Sequence, residues 1–288
     1  MIWEIVQNFF WIGLELTAFF IGITFLIQLL QGLIPIEKLK TYMFSENVFL
    51  GAAVSLLLAF VTPFCSCSTI PIVVSLLNQK IRFGYVMIFL FASPLLDPTI
   101  FTLMAATLGI KVSVVYLITT SLFSVLIGFM LERLRFEKQV KKVMVADLPM
   151  VANKLDAKGT FMETIHLLKS VYPYLIIGVF LGAVIHGAVP AEWISMYLGG
   201  GQWWLVTLAA LIGIPLYIRL STMIPISQIL IAKGMALAPV MALIISSTGA
   251  SLPEVAMLHS IFHKRLVAAF LLSVFSMATL SGLLFYLL

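Results

Sequence analysis

The sequence predicts an all-α polytopic membrane protein of two inverted repeats, each with a helical hairpin and broken transmembrane helices. Three observations carry that expectation. Of 288 residues, 62% are hydrophobic and 10% charged, against about 25% charged in a soluble domain, so lipid must cover what polar groups do not. Apolar runs of spanning length recur from end to end. Three blocks of sequence also return 153 to 155 residues later with their prolines in register.

In order along the chain, the spanning runs are 5–34, 47–64, 83–109, 112–132, 164–189, 203–218, 235–262 and 266–288, at about 20 residues per crossing. Two shorter apolar stretches, 68–78 and 221–232, begin with Ser-Thr and a nearby proline. Ser or Thr at a cap with Pro in the first turn starts a helix, so both read as half-helices that begin inside the membrane. The segment 133–160 is rich in Lys and Arg and reads as a cytoplasmic linker. It divides the chain into a first membrane repeat, 1–132, and a second, inverted one, 161–288. The opening "MIWE" lacks a basic n-region, so no cleavable signal peptide is expected.

The duplication rests on three pairs. "GLIPIEKLKTYM" (32–43) returns as "GAVPAEWISMYL" (187–198), "STIPIVVSLL" (68–77) as "STMIPISQIL" (221–230), and "DPTIFTL" (97–103) as "LPEVAML" (252–258). The net charge of +5 reads as topology rather than nucleic-acid binding. If 47–78 is a hairpin that enters and leaves on one side, each half crosses an odd number of times and the second is upside down. Lys38, Lys40, Lys80, Arg82, the linker, Lys264 and Arg265 then share the cytoplasmic face, with Lys111 and Lys233 outside. Both termini become extracytoplasmic, and Trp193, Trp203 and Trp204 fall at the outer interface.

Each half has two breaks at membrane depth: Pro63 to Pro71 with its partner Pro215 to Pro225, and "SPLLDP" (93–98) with "STGASLPE" (247–254). Irregular backbone survives at that depth only inside protein or along a watery cavity. Inverted repeats with discontinuous helices meeting near the midplane are the plan of a secondary transporter. Half-helix N-termini at Ser68-Thr69 and Ser221-Thr222 would present free amides and partial positive charge to a ligand.

Cys65 and Cys67 are the only cysteines. Two residues apart, they suit no unstrained disulfide, and without further ligands they close no tetrahedral zinc site. Beside a helix N-terminus their pKa is lowered, and thiolates bind soft metals and metalloids, so they are candidate substrate and metal ligands. Arg219 falls near the position matching Cys67; a charge at this depth is costly and marks function. Asp97 and Glu254 sit at the second pair of breaks, either as proton-coupling carboxylates or as local helix caps. His259 and His263 share a helix face near the cytoplasmic end and read as interfacial. No phosphate-binding glycine loop and no HExxH motif is present, which excludes an ATP motor and that type of metalloprotease.

With "TPFCSCSTIP", "ASPLLDP", "STMIPI" and "GASLPEV" in view, the chain resembles the predicted-permease family that includes the organoarsenical efflux permeases (ArsP-like) and YraQ-like proteins. The resemblance covers nearly everything outside the linker. It implies a multi-pass plasma-membrane permease rather than an enzyme, without a cofactor, with Cys65, Cys67, Ser68 and Thr69 at the substrate site. The second half carries "YIRLSTMIP", which adds Arg219, Ser221 and Thr222 but no further thiol.

The reading is therefore a secondary permease of a small thiophilic or anionic solute, a trivalent organoarsenical or related soft species, exported by alternating access. Its partners are that solute and membrane lipid, not nucleic acid, with a homo-oligomer left open. Two alternatives stand beside it: a membrane thiol oxidoreductase using Cys65 and Cys67, and a channel-like subunit of a larger complex.

Overall fold

The computed structural model describes residues 48–61, 66–141, 202–215, 227, 230–231 and 235–287. In the first half, α1 is Val48–Val61, α2 Ser66–Asn78, α3 Phe83–Ala92, α4 Pro98–Thr107 and α5 Ile110–Arg133, followed by a 3-10 turn at Phe136–Gln139. In the second, α6 is Trp204–Gly213, α7 Leu237–Gly249, α8 Leu252–Ile261 and α9 Lys264–Leu284, with a closing 3-10 turn at Phe285–Leu287. Among the described residues no strand forms; the one extended pairing is an antiparallel bridge between Val140 and Phe262.

Local chemistry sets these boundaries. Pro98 opens α4, where its missing N–H would be unpaired in any case. Ser251 caps α8, its hydroxyl accepting from the Glu254 N–H at 3.4 Å, with Pro253 in the first turn. Gly109 precedes α5 with φ of 97°, a left-handed conformation that side chains resist. At 24 residues α5 is roughly 36 Å long, enough for the bilayer core. Its residues Ile110, Val114, Ile118, Leu122, Leu126 and Met130 form an exposed apolar ridge at four-residue spacing, the face that lipid covers.

Two helices, α5 and α9, are long and apolar enough to cross a membrane, and the bent pair α7–α8 makes a third candidate. The bend is 44°. The expected breaks in 83–109 and 235–262 are thus present, as α3/α4 and α7/α8. α1 is described over 14 residues, and it packs on α3. The helix expected from 68 is described over Ser66–Asn78, which holds Cys67 and Ser68. The expected spans 5–34 and 164–189 and most of 221–232 lie outside the described residues.

The two halves repeat one another in position and packing. α3, α4 and α5 start at Phe83, Pro98 and Ile110; α7, α8 and α9 start at Leu237, Leu252 and Lys264, each 154 residues later. α5 packs on α3 as α9 packs on α7, and the closest approach recurs at the same spacing. A Cβ on Gly128 would stand 2.9 Å from Gly84 O and 2.5 Å from Ile88 Cγ1. One on Gly282 would stand 3.1 Å from Ala238 O and 2.8 Å from Ala242 Cβ. Lipid offers no hydrophobic drive between helices, so such small-residue contacts carry the association. Gly128→Val and Gly282→Val should each destabilise the bundle by about 1–3 kcal/mol, read as a lowered melting midpoint in detergent. An unchanged midpoint for either would mean that this helix contact is loose.

The start of the linker is anchored. The Lys141 N–H donates to Ile261 O (2.9 Å) and the His263 N–H to Gln139 O (2.9 Å). The C-terminal end of α5 therefore lies at the same end of the bundle as the N-terminal start of α9, and the two helices pack together. Arg82 joins this end, bonded to Glu132 at 2.6 Å and lying 5.5 Å and 5.6 Å from the ring centres of Tyr85 and Phe129. Where Tyr286 stands, 154 residues beyond Glu132, its hydroxyl donates to Gln202 O (3.0 Å) beside the exposed Trp203 and Trp204.

Candidate functional site

The two breaks, one from each half, meet. Gly249, at the end of α7, is so close to the α3/α4 break that a Cβ there would lie 3.8 Å from Leu95 Cδ2. Phe91 on α3 stacks on Phe270 of α9, centroids 4.9 Å apart at 25°, a contact worth about 0.5–1.5 kcal/mol beyond its buried area. The α3/α4 break is itself held by Tyr116 of α5, whose fully buried hydroxyl donates to Leu95 O at 3.0 Å.

α2 enters this junction through Thr69. Thr69 is fully buried, and its hydroxyl lies 3.2 Å from the hydroxyl of Ser93, the first residue of the α3/α4 break. α2 also packs on α8. α2, the α3/α4 break and α8 thus converge. Cys67 and Ser68 stand in α2, two residues and one residue before Thr69.

The carboxylates occupy unlike places. Glu254 lies in the first turn of α8 and is 1% exposed; the positive end of the helix favours its charge. Asp97 immediately precedes α4, its carbonyl accepting from the Phe101 N–H at 3.1 Å, and it is only partly buried. The expected near-equivalence of the two is therefore corrected. At the common spacing of 154, Asp97 corresponds to the cap Ser251, and Glu254 has its place one turn deeper. Proline in both loops made them look alike, but Pro98 is the first residue of its helix and Pro253 the second of its own.

A chain of this shape falls within a known group. Residues 2–287 match the ArsP_1 family, described as predicted permease. The chain belongs to that family. Among curated proteins it is 29% identical over 160 residues to the UPF0718 protein MJ0584 of Methanocaldococcus jannaschii, covering 54% of this chain and 42% of that protein. It is 24% identical over 243 residues to the UPF0718 protein YraQ of Escherichia coli (strain K12), covering 83% of this chain and 68% of that one. The chain thus spans less than half the length of the archaeal relative. No solved structure matches it.

Of the expected site residues, Thr69, Asp97 and Glu254 are placed with their side chains, and Cys67 and Ser68 by backbone. Cys65, Arg219, Ser221 and Thr222 lie outside the described residues. Three residues not singled out in the sequence join the site: Ser93, Tyr116 and Ser251. Ser251 had a signal, the Ser-x-x-Glu capping spacing before an apolar run. Ser93 and Tyr116 had none, because their partners come from other helices.

Proposed function

We propose that the protein is a secondary permease of two inverted repeats that exports a small thiophilic or anionic solute by alternating access. A trivalent organoarsenical or related soft species fits best. The observation that carries the reading is the meeting of the two breaks beside α2, the helix that bears Cys67. Broken helices joined at depth are buried in protein or line a cavity rather than face lipid, and thiolates bind soft metals and metalloids. Family membership supports a transporter.

Inversion is supported by direction. α5 and α9 hold equivalent places in their halves, yet the end of one lies beside the start of the other. The charged end with Arg82 and Glu132 fits the cytoplasmic face, and the end with Trp203, Trp204 and Tyr286 fits the outer interface. Lys111 and Arg265, exposed and 154 residues apart, test this. With both native cysteines replaced by serine, single cysteines at these two positions should react with an impermeant thiol reagent from opposite sides of the membrane. Labelling from one side alone would refute inversion.

The substrate is tested by flux into proteoliposomes of methylated arsenite, antimonite, thiosulfate and small thiols. The reading expects movement of the methylated trivalent arsenical that saturates and competes with the other soft species. Purified protein that moves none of them, while retaining its melting transition, would refute it.

A further inference from the structure

The geometry points to a second binding site, for a phosphate group, at the end of the bundle where α5 stops and α9 starts. A pocket of about 580 Å³ opens there. Its cations come from three segments: Lys138 of the 3-10 turn, Lys141 of the extended residues after it, and Lys264 and Arg265 of α9, with His259 and His263 alongside. No acidic side chain lines it among the described residues.

Three features separate this pocket from a merely solvated basic face. It is built: the Val140–Phe262 bridge fixes the linker residues against the α8–α9 corner, and Lys141 Nζ donates to His259 O at 2.6 Å. Like charges are thus brought together on constrained backbone, where their repulsion persists until an anion offsets it. Second, α9 starts against the local rule. Its first turn holds two adjacent cations and no acid, and His263 at the cap makes no side-chain bond to it. The positive end of a helix favours negative charge, so the charge pattern is completed by a ligand rather than by the chain. Third, the Arg265 guanidinium offers the planar donor fork that matches phosphate oxygens.

The pocket lies at the head of an apolar helix long enough to cross the membrane, the level of lipid headgroups. Basic pockets at the cytoplasmic ends of helices take such headgroups. The phosphate of an anionic lipid and soluble phosphate share the chemistry, and the depth favours the lipid. Positive charge kept only for topology acts by its number near the membrane; a binding site depends on where that charge stands.

The full chain in mixed micelles is challenged with phosphatidylglycerol and phosphatidylcholine, and bound lipid is counted by native mass spectrometry. A parallel arm follows the melting midpoint with added inorganic phosphate. Wild type should retain phosphatidylglycerol about tenfold over phosphatidylcholine, K264Q/R265Q should lose that preference, and K80Q/R133Q, equal in charge and at the same end, should keep it. Lys138→Gln, on a different segment, should also reduce it and serves if the double variant does not fold. Stabilisation by inorganic phosphate in wild type but not in K264Q/R265Q, without lipid preference, would uphold the phosphate site and assign it a soluble ligand. Equal loss in both double variants, or no difference of either from wild type in both arms, would overturn it.

Discussion

Cys67→Ser is expected to abolish movement of a thiophilic substrate while the protein stays folded in the membrane. Cys67 stands in α2, two residues before the buried Thr69 that meets the α3/α4 break. Serine preserves size and helix chemistry but replaces a soft, ionisable ligand with a hard, neutral hydroxyl. Loss of groups that merely orient a ligand costs about 10–100-fold in metal affinity, so loss of a directly bonded sulfur should cost at least about 100-fold in flux. Cys65→Ser should do the same, because a monoalkyl trivalent species offers two exchangeable positions and one thiol fills only one. Membrane abundance and the melting midpoint should not move. An anionic solute such as thiosulfate gives the control, since it would depend on helix ends and on Arg219 rather than on sulfur. Full arsenical flux in the double serine variant would be decisive against the thiol mechanism.

Much of this architecture could be read from the residues, for physical reasons that differ by element. The starts of α4 and α8 were legible because proline and a short polar residue state a helix start locally. The same punctuation recurs in the sequence, and among the described elements helix starts and the close approaches of Gly128 and Gly282 share one spacing of 154. The Thr69–Ser93 contact could not be read at all: it spans 24 positions and depends on how α2 leans on α3. The same holds for the anchoring of the linker on Phe262, where the charges promised only a solvated segment. The unlike placing of Asp97 and Glu254 turned on a single residue of helix register, which sequence alignment of two prolines obscures.

That unlike placing leads to the second large effect. Glu254→Gln should remove the dependence of transport on a proton gradient, whereas Asp97→Asn should leave it. A coupling carboxylate must alternate between charged and neutral forms, exchanging its proton with one side of the membrane while sealed from the other. Glu254, 1% exposed in the first turn of α8 and on the helix that packs against α2, meets that requirement. Asp97 is only partly buried and precedes its helix. Glutamine keeps the length of the side chain, so folding should survive. The helix end loses roughly 0.3–1 kcal/mol of favourable charge interaction, while the desolvation of a buried carboxylate is relieved. The expected result is a variant that still exchanges substrate across proteoliposomes at equal pH but no longer accumulates it against a gradient. Its exchange rate should be flat across the range where wild type varies. If the pH profile of Glu254→Gln overlays that of wild type and Asp97→Asn is the flat one, the roles reverse: the deep carboxylate anchors α8 and the shallow one carries the proton.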